Sequence, residues 1–323
     1  MKKILGMGNA LVDILLKMKD DQMLQMLGLP KGSMQLVDEK KVASIVPIIQ
    51  KYATETASGG SAANTINGLA ALGVECGYIG KVGHDEFGDL FRNDMMHQHI
   101  SDHLYTSENK TGTAFAFISP DSERTFATFL GAAIELSASD LEPTLFDPYH
   151  FFHIEGYLVQ NHDLIRTAVQ MATENSTKVS MDMASYNVVE GNHDFLVEII
   201  KEYVDIVFAN EEEATALTGL EPEEGLEVLS SWCDVAVVKV GARGSYVKTN
   251  HERVFSKALK AKVIDTTGAG DLYAAGFLYG MARGLSMQQC ADTGSLVASR
   301  VIGVMGARMD QDTWADIKRA LPA

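Results

Sequence analysis

Short apolar runs bounded by Gly, Asn or Asp alternate with longer stretches of helical periodicity along most of the chain. Segments 4–7, 76–79, 151–154, 179–183, 204–208 and 235–240 read as strands. Their side chains are apolar at successive positions, as expected where a sheet is covered on both faces. Helical patterns follow from Ser61 to about Leu72, from Asp85 to His99, from Ala269 to Arg283 and from Ser286 to Ile302. This βα rhythm predicts an α/β fold around a mostly parallel sheet. Two regions break it. Residues 10–40 carry LVDILLKM and KGSMQLVD; residues 106–130 carry TGTAFAFIS, a PDSE turn and RTFATFL, which together read as a hairpin. The pattern therefore predicts a small β lid from 10–40 and 106–130, inserted into a large body of 1–9, 41–105 and 131–323.

Composition narrows the function. The 323 residues carry 27 Lys plus Arg against 43 Asp plus Glu, a net charge of −16, which disfavours nucleic acid or an anionic membrane as a partner. A phosphate can still be bound locally by backbone N–H groups. The cysteines (Cys76, Cys233, Cys290) lack C-x-x-C spacing, so reduced thiols in a cytoplasmic protein are expected. Lys2 and Lys3 precede an apolar run, but Asn9 and Asp13 interrupt it as a signal peptide. A small-molecule partner and a monomer or homodimer are the expectation.

The richest motif is IDTTGAGDLYAAGFL, from Ile264 to Leu278. A strand expected at 261–264 would lead through Gly268-Ala269-Gly270 directly into a helix. Small residues there uncover backbone N–H groups at the positive end of the helix dipole, forming an anion hole. Asp271 has two readings. It is either a dipole-favoured surface residue or a base that takes a proton from an attacking hydroxyl. An anion hole beside a carboxylate is the layout needed for phosphoryl transfer to an alcohol.

Asp265-Thr266-Thr267-Gly268-Ala269-Gly270-Asp271 resembles the C-terminal signature of the ribokinase (PfkB) family of carbohydrate and nucleoside kinases. Gly59-Gly60-Ser61-Ala62-Ala63-Asn64, then Leu72-Gly73 and IGKVGHDEFG (79–88), resemble its N-terminal signature. The resemblance implies a ribokinase-like three-layer α/β/α sandwich and ATP-dependent phosphorylation of a primary hydroxyl, with Mg²⁺ bridging the phosphates. It assigns Asp271 as base and Gly268, Ala269 and Gly270 as anion hole. Asn9, Asp13, Gly59, Gly60, Asn64 and Arg124 would hold the acceptor. Asp265 and Thr267 would hold a monovalent cation such as K⁺.

Finer matches point to an adenosine-kinase-like branch. Gly8-Asn9-Ala10-Leu11-Val12-Asp13 is similar to a segment whose Asp holds ribose hydroxyls; on its residues alone, an Asp just after a first strand is more often a cap or turn residue. Asn210 to Glu213 is similar to N-x-x-E, which organises Mg²⁺ and phosphate through water, although Glu211-Glu212-Glu213 also suits a helix's first turn. Tyr157 and Tyr186 match nucleoside-stacking positions. Lys31-Gly32-Ser33-Met34 is a small-residue stretch where base contacts are expected, and Arg124 suits sugar-kinase lids equally. Gly241-Ala242-Arg243-Gly244 is either a hairpin turn or a nucleotide loop, making Lys239, Gly241 and Gly244 candidate ATP contacts. A fructokinase- or ribokinase-type enzyme and a non-catalytic ligand binder are the rival readings. No G-x-x-x-x-G-K-[ST] exists, and Leu11 spoils the dinucleotide pattern of Gly6-Met7-Gly8.

Overall fold

The structure, a computed structural model, describes residues 1–52, 54–121 and 123–322. Its strands in chain order are β1 (Ile4–Met7), β2 (Leu11–Lys17), β3 (Met34–Leu36), β4 (Thr54–Gly59), β5 (Cys76–Gly83), β6 (Ser101–Ser107) and β7 (Gly112–Ile118). There follow β8 (Arg124–Phe129), β9 (Phe151–Glu155), β10 (Lys178–Asp182), β11 (Ile206–Asn210), β12 (Val235–Lys239), β13 (Gly244–Thr249) and β14 (Arg253–Lys257). Among the described residues they form two sheets. The large one runs β14-β13-β12-β11-β10-β9-β1-β5-β6, parallel from β12 to β6 and antiparallel across β12–β13–β14.

Successive side chains of each parallel strand enter opposite cores, so the strands are apolar at nearly every position. Leu5, Met7, Phe152, Ile154, Val179, Met181, Val207 and Val238 join one cluster with the helices His162–Glu174, His193–Tyr203 and Pro222–Leu229. Ile4, Tyr78, Phe151, Ile206, Phe208 and Val237 join the other, with Ser61–Ala71, Ala269–Arg283 and Met287–Val301. Three layers result. No helix among the described residues is long and apolar enough to cross a membrane.

The small sheet runs β3-β8-β7-β2-β4. It takes β4, which lies within the 41–105 stretch expected in the body, whereas Thr106 and Ser107, expected in the lid, end β6 of the large sheet. The sequence hid β4 because TETASG has no apolar alternation and its first three residues are exposed. The β7–β8 hairpin forms as expected; Ser122 of its PDSE turn lies outside the described residues. Val12, Ile14, Leu16, Phe115 and Phe117 pack outward beneath the helices Gln22–Leu27 and Glu39–Ile49. The opposite face looks toward the body.

One expected strand is absent: residues 258–264 form an irregular, largely exposed run. The antiparallel β13–β14 pair already closes that side of the sheet, and Val263 and Ile264 stay 61% and 41% exposed.

Candidate active site

The parallel strands end in a row of polar residues at their carboxyl ends, where open α/β sheets bind ligands. β9 closes on Glu155, β10 on Asp182, β11 on Asn210 and β12 on Lys239, with Glu155 opposite Asp182 and Asn210 opposite Lys239. Lys239 pairs with Asp182 at 2.8 Å. Burial alone would lower the lysine's pKa, but the Asp182 and Glu213 carboxylates more than reverse this, holding it charged.

Gly268 precedes the helix Ala269–Arg283, whose first turn contains Gly270 and Asp271. The helix starts here because three small residues cannot obstruct it, and the apolar run from Leu272 is buried against Met287–Val301. Asp271 accepts hydrogen bonds from Ser61 Oγ (2.7 Å) and Asn64 Nδ2 (2.9 Å), both on the facing helix Ser61–Ala71. Burial pushes its pKa up to about 6 even though these two hydrogen bonds pull it down. Asn64 Oδ1 is buried and lacks a protein partner.

Above the sheet, strand register fixes which lid residues face this site. Asp13 pairs with Ala114 and Ala57, Leu15 with Ala116, Ala116 with Phe126, Ile118 with Arg124, and Phe126 with Met34. Directly paired residues share a face, so Asp13, Leu15, Ala116, Ile118, Arg124, Phe126, Met34 and Leu36 all lie on the underside. Leu15, Ala116, Ile118, Phe126 and Met305 pack together; Met34 and Leu36 are 47% and 54% exposed. Gly59 gives room for Asp13, since a β-carbon there would lie 2.3 Å from the carboxylate. Burial pushes Asp13 up to about 7, against the pull of Arg308 and Arg124.

The remaining sequence candidates take definite places. Arg124 is ion-paired with Asp265 and bonded to Thr267 Oγ1. Asp265 also accepts from the Thr267 and Gly306 amides. These two side chains are thus engaged by a guanidinium and do not fit a monovalent cation held between them. Asn210 and Glu213 form a reciprocal helix cap, each bond between 2.7 and 2.9 Å. Tyr157 is partly buried and donates to the Ala184 carbonyl (3.3 Å). Tyr186 instead is 43% exposed in a groove with Glu190, Glu211, Glu212 and Thr215. Gly241 and Gly244 flank the turn joining β12 to β13, as the hairpin reading has it. A β-carbon on Gly244 would strike the Ser256 carbonyl at 2.0 Å, reason enough for glycine there.

Sequence reasoning missed Ser61, Glu155, Asp182 and Arg308. A signal existed for two of them: Glu155 directly follows one apolar run predicted as a parallel strand, and Asp182 interrupts another near its end.

Residues 36–314 match the pfkB family carbohydrate kinase pattern. The chain belongs to that family. It is similar over 99% of its length to a probable sugar kinase from Rhizobium etli CFN 42, covering 98% of that chain with a TM-score of 0.90 and 32% identity. The adenosine kinase from Sinorhizobium meliloti aligns over 99% of both chains, with a TM-score of 0.89 and 35% identity. A 5-dehydro-2-deoxygluconokinase from Bacillus licheniformis is 27% identical over 82% of this chain and 86% of its own. The fold is therefore ribokinase-like, and this family member is a sugar or nucleoside kinase, a phosphotransferase with an alcohol acceptor.

Proposed function

We propose that this protein transfers the γ-phosphoryl of ATP to the primary hydroxyl of a ribonucleoside. The observation that carries the nucleoside reading is the lid underside, where Asp13 lies on the same face as the exposed Met34 and Leu36 and the partly buried Phe126, backed by the buried Leu15, Ala116 and Ile118. A bare sugar, with a hydroxyl on most carbons and only small C–H patches, gains less from such a face than a nucleoside does. A nucleoside presents a hydroxyl pair to Asp13 and a flat base to the apolar wall, whose burial is worth roughly 25 cal/mol per Å².

Asp13 accepts from the ribose hydroxyls, assisted by Asn9 and the Gly59-Gly60 turn. Asn64 Oδ1, buried and unpartnered, is a further acceptor for the hydroxyl to be phosphorylated. Asp271 takes that hydroxyl's proton as its oxygen bonds to the γ-phosphorus; the bond from phosphorus to the bridging oxygen breaks, ADP leaves, and the proton passes to solvent. The Gly268 and Gly270 amides and the Lys239 ammonium face the charge on the moving phosphoryl, whereas the Ala269 amide, expected to join them, donates to the Thr266 carbonyl (3.2 Å). Mg²⁺, when bound with ATP, neutralises phosphate charge. Glu213, whose oxygens already accept from Asn210, would reach it through water.

A sugar acid is the second reading, favoured by the positive charges of Arg308 and Arg124, both of which act on Asp13, and by the 5-dehydro-2-deoxygluconokinase relative. A coupled assay of ADP formation with adenosine, other nucleosides, ribose, fructose and 5-dehydro-2-deoxygluconate decides. We expect kcat/KM for one nucleoside to exceed that for every free sugar by about 100-fold or more, since a lost apolar contact and a lost hydrogen bond each weigh on the transition state. Equal or higher values for a sugar or sugar acid would replace the nucleoside reading.

A further inference from the structure

The chain crosses between body and lid at four places, and one buried carboxylate touches two of them. Glu155, 1% exposed at the end of β9, accepts from Asn9 N–H (3.0 Å) and Asn9 Nδ2 (2.7 Å), where the chain leaves β1 for β2. Its other oxygen accepts from Ala62 N–H (2.8 Å), where the chain returns from β4 into the helix Ser61–Ala71. The two crossings also touch directly. Gly60 has φ +98°, and a β-carbon on it would lie 2.2 Å from the Asn9 carbonyl oxygen. That helix has no capping side chain of its own, so Glu155 supplies a negative group to its positive end from another strand.

We propose that Glu155 is the pin of the lid hinge, a positioning residue that fixes how far Asp13 stands from Asp271. The path is short in both directions. Asn9 leads within four residues to Asp13 on β2, and Ala62 lies between Ser61 and Asn64, which hold Asp271. Both carboxyl oxygens are directed to protein N–H donors, two from one crossing and one from the other. The remaining pair of crossings has its own fastening: Asp85 accepts from Thr111 N–H (2.8 Å) and Thr111 Oγ1 (2.6 Å), and Lys110 accepts from Ala132 N–H (2.7 Å). The pin at Glu155 differs because its partners lead straight to the acceptor and base positions.

The test uses Glu155→Gln in the full chain, which keeps the volume but puts an NH₂ against a donor. In the substrate-free protein, amide hydrogen exchange around residues 8–11 and 59–64 should quicken about tenfold while β9 to β11 keep wild-type protection. With substrates, kcat should fall by about tenfold at an unchanged ATP KM, and more than one ADP should form per acceptor phosphorylated, as a loosened lid admits water. Asn9→Ala, which removes only the 2.7 Å bond, should move the same readouts less, and decides the matter if Glu155→Gln does not fold. Unchanged exchange at the two crossings, or faster exchange with wild-type kcat and coupling, would overturn the pin. The kinetic arm rests on the kinase reading but the exchange arm does not, so a wild-type protein that phosphorylates no nucleoside would sink that reading separately.

Discussion

Lys239 and Gly270 approach so closely that a β-carbon on Gly270 would lie 3.1 Å from the Lys239 ammonium. A strand end and a helix start thus converge on one small volume, bringing a charged donor beside uncapped backbone N–H groups. Asp182 holds the ammonium there. Gly270→Ala should leave the backbone undisturbed, because no positive φ is required at this residue. Its methyl group should displace the ammonium and narrow the anion hole. Steady-state kinetics should show kcat/KM for ATP reduced by roughly 10²- to 10³-fold, the scale of one lost transition-state donor, with Tm within a few degrees of wild type.

Asp271 gives a pH test with a definite sign. A base works only when deprotonated, and burial pushes this carboxyl up to about 6. The rate should therefore fall as pH drops through about 6, where an ordinary aspartate would hold its activity to about 4. Asp13, pushed up to about 7, steepens the same limb, because protonation leaves it fewer acceptor sites for two hydroxyls. Asp271→Asn should lower kcat by about 10²–10⁴ and leave ATP affinity little changed. Near-wild-type turnover in a folded variant would remove Asp271 as the base.

Much of this was legible in the sequence. The helix Ala269–Arg283 begins and ends where the pattern puts it, and β1 matches residue for residue, because both are buried apolar runs with small residues at their ends. The strand expected before Asp265 was misread because apolarity at Val263 and Ile264 does not ensure a free sheet edge to pair with. β4 was illegible for the opposite reason: its pairing with β2 carries a polar sequence into a sheet. Local motifs singled out Asp271 and Asp13, whereas Ser61, Glu155 and Arg308 meet partners 93 to 250 positions away through contacts only folding creates, such as Arg308 with the Ser58 carbonyl (2.5 Å).

Asp13 should also carry a stability signature. Its folded pKa, about 7, lies above the ordinary 3.8, so between these values the folded state binds more protons than the unfolded one. Its contribution to stability therefore falls as pH rises through that window and levels off above about 7. Asp13→Asn should raise Tm by a few degrees at pH 8 and change it little at pH 4, while acceptor kcat/KM collapses. Thermal denaturation at the two pH values checks it; an equal shift at both would assign the effect to packing and not to charge.

Arg124 leads to an ion test. Its guanidinium engages both Asp265 and Thr267, and burial lowers its own pKa only to about 10, so it stays charged at neutral pH. Turnover should be the same within about twofold in K⁺, Na⁺ and tetramethylammonium buffers of equal ionic strength, since screening alone then acts on the site. Arg124→Ala frees both ligands and should introduce a K⁺ requirement. Strong K⁺ activation of the wild type would mean that the pair opens to admit the ion.

The proposed nucleoside reading separates two sets of aromatic and apolar residues. Met34, Leu36 and Phe126 share the lid underside with Asp13, and the first two expose large apolar surface there. Tyr186 stands in a groove lined by Glu190, Glu211 and Glu212, and Tyr157 is tied to the Ala184 carbonyl. If a base lies against the lid, Leu36→Ser or Met34→Ser should raise KM for a nucleoside by about 10-fold, one lost apolar side chain being worth about 1–3 kcal/mol. Ribose, which has no base, should be affected less than about twofold, because it loses no such contact. Tyr157→Ala should follow the same split if that ring reaches the base, and should instead lower Tm and all acceptors alike if it serves only the core. Tyr186→Ala should leave acceptor KM unchanged. A nucleoside KM that responds to Tyr186 and ignores Met34 and Leu36 would move the base out from under the lid and onto the groove beside Glu211.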